Sequence, residues 1–300
     1  MLWLIVILSS YLLLAGVNLI DKHILGERIT DAKIYSFYVG ISGLFVLLLV
    51  PFGFLAIPQI PQMFLALAAG AFNTLAIFAL YVGLKNFETS RIIPAVGAFL
   101  PLFTFGFTMV QDGKNLTFSD MVVFSLLVVG AFLITWERKK TISLKSLKIA
   151  ALASFFFALY FILAKFVYLH QPFISGMIWT RIGAALAALC FLFFKTVRAD
   201  ILSGPQIAKK NNWAVVLPNQ AVGGIAVLLQ NWAIALAPFA YLGIINALEG
   251  VKYVFLMVLA VLLSLKFPKI LKEEISKEVI LQKVVAMLFI GGGLLILALK

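Results

Sequence analysis

MLWLIVILSSYLLLAGVNLIDKHIL, residues 1–25, carries no charge in its first twenty positions and then meets Asp21 and Lys22. A helix crosses ~30 Å of hydrocarbon with about 20 apolar residues, so the stretch is long enough to span a bilayer. No basic segment precedes the apolar run, which is also longer than the core of a cleaved signal, and we read it as a first transmembrane helix. Composition extends this reading to the whole chain. Of 300 residues, 63% are hydrophobic and 12% charged, and mean hydropathy is +1.10, whereas soluble domains run near ~45–50% apolar and ~25% charged. Breaks at charged or Pro/Gly clusters place helices at 2–20, 34–56, 62–84, 91–110, 118–136, 147–169, 174–194, 213–236, 239–265 and 279–299. The expected fold is therefore all-α and integral to the membrane, with ten transmembrane helices. The longest connections, near 135–148, 195–212 and 266–278, are too short for a separate soluble domain.

A formal charge of +12 in a soluble protein would point to nucleic acid, but here the cations sit in short loops between apolar runs, and nucleic acid is not expected as a partner. Cytoplasmic loops collect Lys and Arg. With ten helices the odd-numbered loops hold nineteen, from Lys22, Arg28 and Lys33 in the first to Lys283 in the ninth; the opposite side has only Lys114 and Lys300. The split predicts a multi-pass plasma-membrane protein with odd loops in the cytoplasm and both termini outside. Asn115-Leu116-Thr117 spells an acceptor sequon on the outer side, although chance and closeness to the membrane favour a sequence coincidence. The single cysteine, Cys190, permits no intrachain disulfide.

The chain also repeats itself. Residues 12–25, LLLAGVNLIDKHIL, match residues 155–168, FFFALYFILAKFVY, and align Lys22 with Lys165 at an offset of 143. The same offset sets Tyr38 against Arg181 in ISGMIWTRIGAALAALCFLFF, residues 174–194. With a small gap, ALYVGLKNFETSRIIPAVGAFLPLF (79–103) follows NWAIALAPFAYLGIINALEGVKYVF (231–255). Five helices per repeat is an odd number, so halves 1–140 and 141–300 must insert with opposite orientation. Inverted repeats favour a site near the bilayer midplane and alternating access.

On these residues the chain resembles the drug/metabolite transporter superfamily, and within it the ten-helix proteins with two EamA-type domains. The resemblance covers the whole length. Its markers are Lys22 and Lys165, Arg181, Pro101 and Glu249-Gly250, with Glu273-Glu274-Ile275 ahead of a glycine-bearing last helix, VVAMLFIGGGLLILAL. It implies export or exchange of small metabolites such as amino acids, drugs or nucleotide-linked sugars. Tyr38 stands where the pattern has a basic residue, and many relatives keep their termini in the cytoplasm.

Ionisable groups deep in a bilayer cost at least ~2.5–3.5 kcal/mol each on insertion scales and usually mark a pathway. Arg181, Glu249 and Lys252 qualify. Glu249 is either half of a structural ion pair with Lys252, one helical turn on, or a site for a substrate amine or a coupling proton. On a continuous helix Asn246, Glu249 and Tyr253 share one stripe. The planar donor fork of Arg181 suits a carboxylate or phosphate, with pairing to Glu249 as the structural alternative. Lys22 and Lys165, near helix ends, are placed to snorkel; their repeated position keeps them candidates, and Asn18 shares a face with Lys22. Further candidate lining groups are Asn73, Gln220, Gln230 and Trp232. Pro94 and Pro101 should kink or break the fourth helix, and with Pro218 they are the candidate gating positions.

Two histidines and no acidic cluster within the apolar runs leave too few ligands for a metal site, and no P-loop, GxSxG or GxGxxG stands in a suitable context. No enzyme, cofactor or ATP-driven step is expected. The expected activity is secondary transport of a small polar or amphipathic solute, with the lipid bilayer and that solute as partners and proton coupling open. The alternatives are a flippase for a lipid-linked sugar, or a non-transporting scaffold or lipid-modifying protein. A fused pair of repeats completes a cavity as a monomer, and a homodimer remains open.

Overall fold

A computed structural model of the chain describes residues 2–25, 31–87, 89–112, 117–136, 143–203, 213–266 and 277–299. The described residues are mainly helical, without strands. In chain order the α-helices are α1 (Leu2–Leu25), α2 (Ala32–Ser42), α3 (Ile60–Asn86), α4 (Thr89–Asp112), α5 (Phe118–Thr135) and α6 (Leu144–His170). They continue as α7 (Phe173–Leu189), α8 (Lys195–Leu202), α9 (Trp213–Leu236), α10 (Leu242–Ala247), α11 (Glu249–Lys266) and α12 (Lys277–Ala298). Among the described residues seven stretches are long and apolar enough to cross a membrane: 2–20, 32–52, 60–86, 144–170, 173–193, 239–259 and 281–298. Shorter apolar helices cover 95–110, 118–133 and 221–236.

Local chemistry sets the helix starts. Asp31 caps α2 by accepting from the Lys33 N–H at 2.8 Å; Thr117 and Asp120 form a reciprocal capping box on α5; Ser143 caps α6. The second apolar run stops short of its expected end at residue 56. After Ser42 it tightens into a 3₁₀ helix, Gly43–Phe52, which contains Pro51 and ends on Gly53 at φ 79°. Glycine adopts that left-handed conformation without the Cβ clash other residues meet, and the chain then runs extended to α3.

In the fourth helix, where a kink or a break is expected, no break occurs. α4 runs unbroken from Thr89 to Asp112 through both Pro94 and Pro101, so neither proline ends it. Proline removes one ladder hydrogen bond, a loss that neighbouring helices and Ser/Thr hydroxyls can offset. α9 likewise continues through Pro218. The break falls where no proline stands. Residues 239–266 form a 3₁₀ turn (Phe239–Tyr241), α10 and α11, with Val251 N–H bonding the Leu248 carbonyl three residues back at 2.9 Å.

The chain divides into two compact units, each drawing on both sequence halves. The first comprises Met1–Glu27, Ile93–Thr141 and Ala214–Lys300; the second comprises Arg28–Ile92 and Ile142–Trp213. In the first, α12 packs along α5 and α1 along α11. Ser10 Oγ bonds the Ala226 carbonyl at 2.7 Å, joining α1 to α9, and Gln282 Nε2 caps the end of α5 at the Leu133 and Trp136 carbonyls. In the second, α3 packs against α6 and α7. A Cβ on Gly70 or on Gly183 would run into the facing helix's backbone, so small residues bring α3 and α7 into backbone contact, the packing mode of helices in lipid. Thr74 Oγ1 adds a bond to the Ala184 carbonyl at 2.9 Å.

Candidate functional site

Glu249 opens α11. The first turn of a helix presents unsatisfied N–H groups and the positive end of the macrodipole, and both favour a carboxylate. Lys252 lies one turn on, and its Nζ pairs with Glu249 Oε1. The two side chains are only 24% and 13% exposed. Lys252 Nζ also stands 5.0 Å from the centroid of the Tyr253 ring, so a carboxylate and an aromatic face both stabilise the cation.

Four helices of the same unit pack around the start of α11. From α1, the buried Tyr11 donates its hydroxyl to the Ile245 carbonyl at 3.0 Å, just before the α10–α11 break. Gln230 of α9, Glu249 and Tyr253 lie within electrostatic reach of the same hydroxyl. From α4, Thr104 Oγ1 accepts from Asn246 Nδ2 at 2.9 Å, with both groups buried. Gly250 lies against α5 so closely that a Cβ there would sit 2.8 Å from Ala131 Cβ. The first turn of α11 is therefore pinned by a close backbone approach, and the break beside it is fixed by hydrogen bonds from α1 and α4.

Of the residues singled out in the sequence, the structure brings Gln230, Glu249 and Tyr253 together with Lys252. Asn246 is adjacent but committed to Thr104, and because α10 ends at Ala247 it does not share a continuous helical stripe with Glu249 and Tyr253 as expected. Glu249 is paired with Lys252, the first of its two sequence readings in geometric terms. Asn18 is half-buried on α1, Trp232 exposed on α9, Pro101 buried on α4 and Pro218 exposed on α9. Lys22 lies on α1, Pro94 on α4 and Gln220 on α9, with side chains outside the described residues; Asn115 and Glu273-Glu274-Ile275 lie outside them altogether.

The other predicted residues belong to the second unit. Lys165 of α6 and Asn73 of α3 are buried. Arg181 is half-buried on α7, against Gly43 and within electrostatic reach of Tyr168. Tyr38 donates its hydroxyl to Asp200 Oδ2 at 3.0 Å, so this hydroxyl is spent on holding α2 to α8. Sequence reasoning missed Tyr11, Thr104 and Asp200. A hydroxyl inside an apolar run needs a buried partner, and that signal was present for Tyr11. Among the described residues no three His, Cys, Asp or Glu side chains gather as metal ligands.

No family model matches the chain, and no curated protein matches it. Chains of solved structures do match. One, described only as "Crystal structure of protein", superposes with a TM-score of 0.69 at 16% sequence identity, over 97% of this chain and 96% of that one. At that identity the similarity is one of fold.

Proposed function

We propose that the chain is a secondary transporter of the drug/metabolite superfamily. In this reading ten helices cross the plasma membrane as two inverted five-helix repeats, 1–140 and 141–300, with both termini outside. The solute is small and polar or amphipathic, and its site is built on the start of α11. The observation that carries the reading is the Glu249–Lys252 pair, set in an apolar stretch long enough to span a bilayer and ringed by Tyr11, Gln230 and Tyr253. Charges in such surroundings are expensive and usually serve a pathway.

Mechanistically, Glu249 exchanges partners. A solute ammonium or a proton takes over the carboxylate, and Lys252, still stabilised by Tyr253, becomes available to an acidic group of the solute. An internal counter-ion keeps the empty site neutral enough to lie within hydrocarbon, so the solute competes against it rather than against water. The Tyr11 and Gln230 polar atoms orient the solute; Arg181 and Lys165 are the cations proposed for acidic solutes in the other unit.

The test is a thermal-shift screen of the detergent-purified protein against amino acids, polyamines, nucleotides and sugars. A ligand that binds only the folded state raises apparent stability by about 2.7 kcal/mol at a hundredfold excess over Kd. The expected result is a hit that Glu249→Gln abolishes. A hit unchanged by both Glu249→Gln and Lys252→Met would remove the site from α11.

A further inference from the structure

α8 does not belong to the spanning set. It is eight residues long, KTVRADIL, and follows the apolar stretch 173–193 after a 3₁₀ turn at Cys190–Phe193. One face is anchored: Val197 is buried with Phe37 of α2 and Phe191, and the only acid of the helix, Asp200, is buried and accepts from Tyr38. The opposite face is bare. Lys195 and Arg198 are exposed, and Phe193 and Leu202 leave 85% and 87% of their surface uncovered by protein. Lys33 of α2 extends the basic character, its Nζ lying 4.2 Å from the centroid of the Phe194 ring. The nearby Asp31 is engaged in capping α2 at the Lys33 N–H.

On one face of α8 an exposed Leu202 lies with two cations, and an exposed Phe193 stands in the 3₁₀ turn just before the helix; at the end of a membrane-length apolar helix this set matches the boundary between headgroups and acyl chains. Water would penalise Phe193 and Leu202, and hydrocarbon would penalise Lys195 and Arg198; the interfacial layer accommodates both. Lys33, Lys195 and Arg198 outnumber Asp31, the N-cap of α2, and the buried Asp200, so the complementary charge is negative. We propose that α8 docks this chain onto an anionic phospholipid leaflet, Lys195 and Arg198 engaging lipid phosphates while Phe193 and Leu202 enter the acyl boundary. Because α8 is tied to α2 by Tyr38–Asp200 and by the Val197–Phe37 contact, lipid charge at this surface stabilises the packing of α2 in the second unit. The inference rests on α7 crossing a bilayer and is independent of which solute, if any, is moved.

The experiment compares Tm of the full-length chain in nanodiscs of phosphatidylcholine alone and of phosphatidylcholine with phosphatidylglycerol, at low salt. The expected outcome is a rise of roughly 2–4 °C with the anionic lipid, lost at ~1 M salt, where charge screening is near complete. Lys195→Glu with Arg198→Glu should abolish the rise, and Lys195→Gln with Arg198→Gln should reduce it in a milder background that protects against misfolding. Lys145→Glu with Lys148→Glu, the same charge change at exposed positions of α6, should leave it intact. Equal loss in the α6 control, or no phosphatidylglycerol dependence in the unsubstituted chain, would overturn the proposal. So would an equal rise on adding inorganic phosphate to the zwitterionic discs, which would assign a small-anion site instead. A chain that failed to enter nanodiscs at all would overturn the membrane reading itself, an outcome distinct from entry without lipid dependence.

Discussion

Glu249 and Asp200 are both acids withdrawn from the surface, one in each compact unit, and the protein answers them differently. Glu249 lies within the apolar stretch 239–259 and has a cation on its own helix, Lys252, with an aromatic face behind it. Asp200 lies beyond the end of the apolar stretch 173–193 and has a neutral hydroxyl from Tyr38 on one oxygen; its Oδ1 has no hydrogen-bond partner among the described residues. Exposure does not explain the contrast, since Asp200 is 5% exposed and the Glu249 side chain 24%; what differs is the partner, a cation that offsets the desolvation of Glu249 and a neutral hydroxyl at Asp200.

The comparison can be broken most directly at Glu249. Glu249→Ala leaves Lys252 without its carboxylate and should lower stability in detergent by about 3–5 kcal/mol, while Glu249→Leu with Lys252→Met should recover most of the loss, since a matched apolar pair can replace a buried ion pair. Thermal unfolding of the three proteins decides this, and a neutral single variant would show that Lys252 is solvated some other way. Asp200→Ala should cost less, about 1–3 kcal/mol, for leaving the half-buried Tyr38 hydroxyl without its acceptor. If its cost equalled that of Glu249→Ala, the charge of the partner would not be what separates the two acids. Tyr11→Phe removes the bond to the Ile245 carbonyl and should cost about 1–1.5 kcal/mol, with proteolysis or hydrogen exchange increasing at residues 242–251. The smallest effect is expected for Tyr38→Phe, about 0.5–1 kcal/mol; it should also weaken the lipid-dependent stabilisation assigned to α8.

Part of this was readable without coordinates. Glu249 and Lys252 stand three residues apart in an apolar run, and helical geometry alone brings such a pair together. The α10–α11 break was not readable. Pro94 and Pro101 advertise a break in α4 that does not occur, while Ala247-Leu248-Glu249-Gly250 contains no proline and yet turns. A proline's missing N–H is a local defect that neighbours can repair, whereas this turn is held by groups distant in sequence: Tyr11 at Ile245, Thr104 at Asn246, and Ala131 against Gly250. Tyr38 and Asp200, 162 residues apart, illustrate the same limit, because no periodicity encodes which buried hydroxyl will find which carboxylate.

What the sequence determined by itself is the helical, membrane-compatible character of the chain, because apolar length and the need to satisfy every backbone group within its own segment leave hydrocarbon few other structures. It also determined the places where charge interrupts that pattern. Tertiary structure decided which polar groups meet, where a helix yields, and which short amphipathic segment is left facing outward, because these depend on contacts between segments far apart in the chain, and local propensity does not carry that information.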